Sequence, residues 1–124
     1  MEPTKKQKDE VQRNVKKWKR ILYLQDWHFT FTFLHENEDE YAAKIVMNQS
    51  YRFATIVINP RFWDEKDKSI REMAVCHELC HCIVKPVAQM AEDAANGHGV
   101  SQRELMHWVE YVTQHITNVA FYQS

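Results

Sequence analysis

The residues best suited to chemistry lie in one short segment, residues 76–81, which reads CHELCH. If this segment is helical, His77 and His81 lie one turn apart on the same face, so both imidazoles can reach one metal ion. Glu78 comes directly beside that face, where its carboxylate can accept a proton from water held by the ion. The His-Glu-x-x-His pattern therefore predicts one Zn²⁺ per chain with a general base beside it.

A catalytic zinc site takes three protein ligands and leaves a fourth position open for water. The sequence offers two candidates for the third ligand. Glu110 is expected beside the apolar stripe of the last helix, where a half-buried carboxylate needs a partner such as a metal ion. His98 stands in a Gly-His-Gly turn that could bring its imidazole to the site. We favour Glu110, because ligands on rigid elements are held more accurately.

The elements that position these residues are predicted from the spacing of apolar side chains. Val11, Val15 and Trp18 recur at helical spacing and predict a first helix over residues 4–24, capped by Thr4. Residues 27–34 alternate strictly between aromatic and polar side chains, which is typical of a strand. With two further strands expected at residues 42–47 and 51–58, the pattern predicts a three-stranded antiparallel meander.

The motif itself is predicted to lie on a helix. Residues 69–72 (SIRE) match a capping box that would open this helix, and Pro86 is expected to end it near Val84. A last helix is expected from about Ser101. Its predicted apolar stripe comprises Leu105, Val109, Val112, Ile116 and Val119. The sequence thus predicts one α+β domain over residues 1–124, with an N-terminal helix, a small antiparallel sheet, the motif helix and a C-terminal helix.

Composition limits the possible partners. The chain has 124 residues, enough for one compact domain, and its formal net charge of −1 excludes a generally basic nucleic-acid coat. No apolar run is long enough to span a membrane, and the charged N-terminus lacks the apolar segment of a secretory signal, so a cytoplasmic protein is expected. Half of the basic residues lie in the first twenty positions. Nucleic acid could bind the helix 5–20, but a solvated charged face is the favoured interpretation.

The chain resembles a minimal zincin metallopeptidase in the order of its elements around the His-Glu-x-x-His motif. The aromatic alternation of residues 27–31, the segment 51–56 (YRFATI) and Glu110 followed by Thr113 are similar to small phage-type zinc metallopeptidases of the gluzincin kind. This resemblance implies a protein or peptide substrate, His77 and His81 as ligands with Glu110, and a phage or prophage source. It also implies an edge strand that pairs with extended substrate, for which residues 51–58 are our candidate.

Two alternatives remain open at this point. The motif together with residues 97–99 (GHG) and 106–107 (MH) is similar to SprT/Spartan-like proteases, which act near DNA and whose third histidine would fall on His98. A binding module could instead retain zinc for stability alone, since small domains gain much from a structural metal. The presence of Glu78 argues against that module, because a purely structural site has no use for a base. We therefore expect a zinc-dependent peptidase.

Overall fold

The computed structural model describes residues 2–95 and 102–123, and within them it is an α+β protein, as predicted. The expected position of His98, and the expected helix start at Ser101, lie outside the described residues. The elements in chain order are helix α1 (Lys5–Ile21), strands β1 (His28–Phe33), β2 (Ala43–Asn48) and β3 (Phe53–Ile58), a short 3-10 helix (Pro60–Asp64), and helices α2 (Lys68–Ala95) and α3 (Gln102–Gln123).

Helix α1 forms as its sequence predicts. The Thr4 hydroxyl accepts a hydrogen bond from the backbone amide of Gln7, and the Gln7 side chain accepts one from the Thr4 amide, so the first turn is capped in both directions. Val11, Val15 and Trp18 are buried on the side that packs against α2 and the sheet. The remaining face of α1 is left to its charged residues.

The sheet differs from the predicted antiparallel meander. Its strand order is β1-β3-β2, with β1 parallel to β3 and β2 antiparallel to β3. β3 takes the centre because it carries the most buried side chains of the three strands, among them Ala54, Ile56 and Ile58. Alternation of residue types predicts which face of a strand is buried, but not which strands lie beside it. The three strands were therefore confirmed, whereas the antiparallel meander was wrong.

Helix α2 begins and ends elsewhere than predicted. The carboxylate of Asp67 accepts hydrogen bonds from the backbone amide and the hydroxyl of Ser69, so Asp67 caps the helix. Glu72 does not reach back to the cap, as its carboxylate accepts from Lys17 and Trp18 of α1. The helix also continues through Pro86. A proline removes one helical hydrogen bond, so the helix continues here at that cost.

The buried side of α3 is only partly the predicted one. Val112 and Val119 are 42% and 54% exposed, whereas Thr113 and Thr117 are fully buried. Each threonine hydroxyl donates to the backbone carbonyl four residues earlier, at 2.7 Å, so the buried polar group has a partner within its own helix. Within the described part of the chain, no helix combines the length and the apolar character needed to cross a membrane.

Candidate metal centre

The motif residues lie on the side of α2 that faces α3. Cys76, Leu79 and Cys80 are fully buried in the core, which fixes the rotation of α2 about its axis. His77 and His81 consequently lie side by side, with ring centroids 5.0 Å apart and side chains 16% exposed. The helical spacing has thus placed both imidazoles at the junction of α2 and α3, as the sequence predicts.

Glu110 on α3 reaches both histidines. One carboxylate oxygen, Oε2, lies 3.2 Å from Nε2 of His77, and the other, Oε1, lies 3.2 Å from Nε2 of His81. Ligand atoms around a tetrahedral zinc ion, each about 2.0–2.1 Å from the metal, lie roughly 3.3 Å from one another. Each of these two histidine–Glu110 separations is about that of two ligand atoms on one zinc ion, and each is also that of an ion pair with a protonated histidine.

Glu78 completes the group. Its carboxylate and the nitrogens of His77 and His81 all lie within 4.8 Å of one another, close enough to surround one metal ion. Burial first, and then the negative charge of Glu110, raise the pKa of Glu78 to about 8 against the opposing effect of a hydrogen bond from the backbone of Ile45. Glu110 was expected to be half-buried, but its side chain is 59% exposed, whereas Glu78 is half-buried. The two carboxylates lie near each other, a charge arrangement that a bound cation stabilises.

The histidines differ in how their other ring atoms are satisfied. Burial lowers the pKa of His81, which favours the neutral imidazole that can bind a metal. For His77, the Nδ1 atom is buried and has no hydrogen-bond partner among the described residues. Metal-binding histidines usually donate this second N–H to a carboxylate or a carbonyl. The expected outer partner is therefore missing for His77.

A cleft of about 600 Å³ opens beside the site, between β2, α2 and α3. Glu78 and His81 lie in its wall together with Ile45 and Met47 of β2 and, from the helices, Lys85, Gln89, Leu105 and Met106. The lining of the cleft is partly apolar, and the cleft opens to solvent, so Glu78 and His81 can be reached from outside.

The strand beside this cleft is not the one expected. β3 is central and paired on both sides, so residues 51–58 cannot pair with a substrate, and that expectation was wrong. β2 is an edge of the described sheet instead. In its register with β3, and with the Asn59 amide bonded to the Ala42 carbonyl, the backbone groups of Ala43, Ile45 and Met47 point away from β3. This free edge lies next to Glu78.

The contribution of Ile45 had no signal in the sequence. It acts on Glu78 through a backbone amide, which every residue except proline possesses, so no residue type indicates it. Only the strand order, which brings β2 beside α2, reveals it.

Comparison of the chain with models of protein families, with curated proteins and with solved structures found no match.

Proposed function

We propose that this chain is a zinc-dependent metallopeptidase that hydrolyses peptide bonds. His77, His81 and Glu110 would hold the ion, and Glu78 would act as the general base. One observation carries the proposal: the two carboxylate oxygens of Glu110 each lie 3.2 Å from one of two imidazoles on α2, directly beside the half-buried carboxylate of Glu78. An ion pair alone would account for Glu110 but not for a second carboxylate beside it.

The charges of the site support a cation. A buried carboxylate whose hydrogen bond comes from one backbone amide is costly in its charged form. Burial is the larger cause and the nearby carboxylate of Glu110 the smaller one, and together they raise the pKa of Glu78 to about 8. A divalent cation near the two carboxylates would offset both the cost of burial and the repulsion between them, and would return Glu78 to its charged form. In that form Glu78 is able to accept a proton.

The reaction then follows from the positions of these side chains. When bound, a zinc ion lowers the pKa of a coordinated water to about 7 and polarises the carbonyl of the bond to be cut. Glu78 accepts the proton of the attacking water and delivers it to the leaving amine. His77 and His81 are held rigidly by the core side of α2, so they keep one geometry during the reaction.

The cleft indicates the form of the substrate. An extended peptide laid along β2 would pair with the outward backbone groups of Ala43 and Met47 and bring one peptide bond next to Glu78. The lining is mixed apolar and polar, which suits a peptide better than a small charged metabolite. The three free cysteines favour a reducing compartment, so the cytoplasm remains the expected location.

The test is Glu78→Gln in zinc-loaded protein. We expect the variant to keep one equivalent of zinc by elemental mass spectrometry, because Glu78 is not a ligand in this proposal. Cleavage of a proteome-derived peptide library, measured as new N-termini, should fall by a factor of about 10²–10⁴. Glu36→Gln is the matched control, since Glu36 is exposed and precedes β2. It should cleave the library at the rate of the unchanged protein.

Other outcomes would select the alternatives. A zinc-loaded chain that cuts no peptide in the library would be a binding module stabilised by its metal. Zinc retained in Glu110→Ala would move the third ligand to His98, as the SprT-like alternative requires. Salt-sensitive DNA binding that disappears when Lys16, Lys17, Lys19 and Arg20 are neutralised would support that alternative further.

A further inference from the structure

The outer face of α3 carries an apolar stripe that no other described element covers. We call it the outer stripe; its residues are Trp108, Tyr111, Val112, His115, Val119 and Tyr122. Trp108, Tyr111 and Tyr122 are 60%, 59% and 70% exposed. At about 100° per residue, all six positions fall within an arc of about 100°, opposite the side that packs on α2. The stripe is therefore one continuous surface.

The outer stripe also lacks the charges that keep a helix face in water. Between Leu105 and Gln123, Glu110 is the sole residue of the Asp, Glu, Lys and Arg types, and it turns toward α2. A helix that is apolar on two opposite sides is normally covered on both. The rings already contact one another, with Trp108 and Tyr111 edge to face at 5.6 Å and Tyr111 stacked on His115 at 6.3 Å.

Five of the six residues of the outer stripe are placed symmetrically about His115, and the sixth, Val112, has Asn118 as its image. Trp108 and Tyr122 stand seven residues before and after it, and Tyr111 and Val119 stand four before and after. If two α3 helices run antiparallel and cross at His115, each Trp108 faces a Tyr122 and each Tyr111 faces a Val119. Alternating steps of three and four are also the spacing by which paired helices interlock. A surface that matches its own two-fold image fits a second copy of the same chain.

We propose that the outer stripe is a homodimer interface, in which the α3 helices of two copies pack antiparallel around a two-fold axis at His115. The exposed parts of its side chains offer roughly 500 Å² per copy, given the size of aromatic side chains. The total of about 1,000 Å² is at the lower limit for a specific interface, so the dissociation constant should lie in the micromolar range. A net charge of −1 adds little repulsion between copies.

This dimer does not depend on the proposed peptidase activity. Glu110 leaves α3 on the opposite side from His115, so a second copy on the outer stripe leaves the metal centre and the cleft open. The dimer should therefore form with zinc or with a chelator present. That separates a failure of this proposal from a failure of the proposed function.

The experiment is sedimentation velocity of the full chain, with zinc and with EDTA. Protein concentrations from about 1 to about 200 µM lie on both sides of the expected dissociation constant. We expect a concentration-dependent monomer–dimer equilibrium with zinc and with EDTA. His115→Glu and His115→Lys each place two like charges face to face at the axis, which should weaken dimerisation by at least about 100-fold. Mixing the two variants in equal amounts should restore a dimer, because Glu then faces Lys.

The mixture also shows that both variants are folded. Tyr51→Glu is the matched control, since Tyr51 is 81% exposed but lies outside the outer stripe, and it should dimerise as the unchanged chain does. Three results would overturn the proposal. The unchanged chain could remain monomeric to the highest concentration, both charged variants could still dimerise, or the two variants could be monomeric and stay so when mixed.

Discussion

Helices α1 and α3 both pack on α2, but they contact it with different chemistry. On the α1 side, Arg71 of α2 donates two hydrogen bonds of 2.8 Å to the carboxylate of Glu10, and Glu72 accepts from Lys17 and Trp18 of α1. Each carboxylate there meets a donor of the protein itself. On the α3 side, the carboxylate of Glu110 meets two imidazoles beside a second carboxylate.

The difference between the two contacts is the basis of the proposed metal site. Around Glu10 and Arg71, positive and negative groups are balanced and their hydrogen bonds are made, so the contact serves to hold α2 in place. Around Glu110 lie two imidazoles and a second carboxylate, and Lys85 is a cation near enough to act on His81. The proposed metal ion would bind at this second arrangement.

The largest expected effect is that of zinc on stability. At free zinc about 1,000-fold above the dissociation constant, binding to the folded state should add about 4 kcal/mol to the free energy of unfolding. His81→Ala should abolish this gain, because two remaining ligands bind zinc weakly. Glu10→Gln should retain it, because Glu10 belongs to the α1 contact. The measurement is the thermal unfolding midpoint of each protein with zinc and with EDTA.

This prediction has a direct contrary outcome. If zinc stabilises Glu10→Gln and His81→Ala equally, the ion binds elsewhere, for example at thiols, and the contrast between the two helix contacts has no basis in metal binding. If zinc stabilises neither the variants nor the unchanged chain, the contact of Glu110 with His77 and His81 is an ion pair.

A smaller effect is expected on the α1 side. Glu10→Gln removes a charge from a pair in which Arg71 is almost fully buried, so we expect a loss of about 2–4 kcal/mol in the free energy of unfolding. The hydrogen bond from Arg71 holds the pKa of Glu10 below its usual value. The contribution of Glu10 is therefore complete above the unfolded pKa, near 4.5, and is lost as the pH falls through the lower folded value.

Chemical denaturation at several pH values checks this sign. The unchanged chain and Glu10→Gln should differ most at neutral pH and approach each other in acid. Glu40→Gln, on an exposed loop position, is the control and should follow the unchanged chain throughout. The free energies of unfolding of Glu10→Gln and the unchanged chain could also differ by the same amount down to about pH 3, roughly one unit below the ordinary carboxylate pKa. That result would show that the loss of stability in Glu10→Gln comes from packing and not from the charge.

The contrast between local and long-range information explains what the sequence could predict. The first helix, the three strands and the shared face of His77 and His81 follow from spacing within a few residues, and these were confirmed. The strand order was not predictable, because β1 and β3 are adjacent in space with β2 between them in the chain. Helix α2 continues through Pro86, and the residues around the proline give no signal of this.

The inner and outer faces of α3 show a further reason. Residue type predicted that Val112 is buried and gave no reason to bury Thr117. In the fold, Val112 is exposed and Thr117 is buried. A threonine in a helix can donate to a carbonyl of its own helix, so its polarity need not keep it at the surface.

The proximity of Glu110 to both histidines is an observation, while its role as a ligand stays a prediction until zinc is measured.

The smallest expected effect tests that account of α3. Thr113→Val exchanges a buried hydroxyl for a methyl group of the same size, and the hydroxyl serves only the Val109 carbonyl four residues earlier among the contacts described. That carbonyl keeps its helical hydrogen bond, and the added methyl group gains from burial. We expect a change within about 0.5 kcal/mol in either direction by chemical denaturation. A loss above about 2 kcal/mol would mean that the hydroxyl supports α2 as well. The α3 contact would then be held by polar groups, as the α1 contact is, and the contrast between the two would weaken.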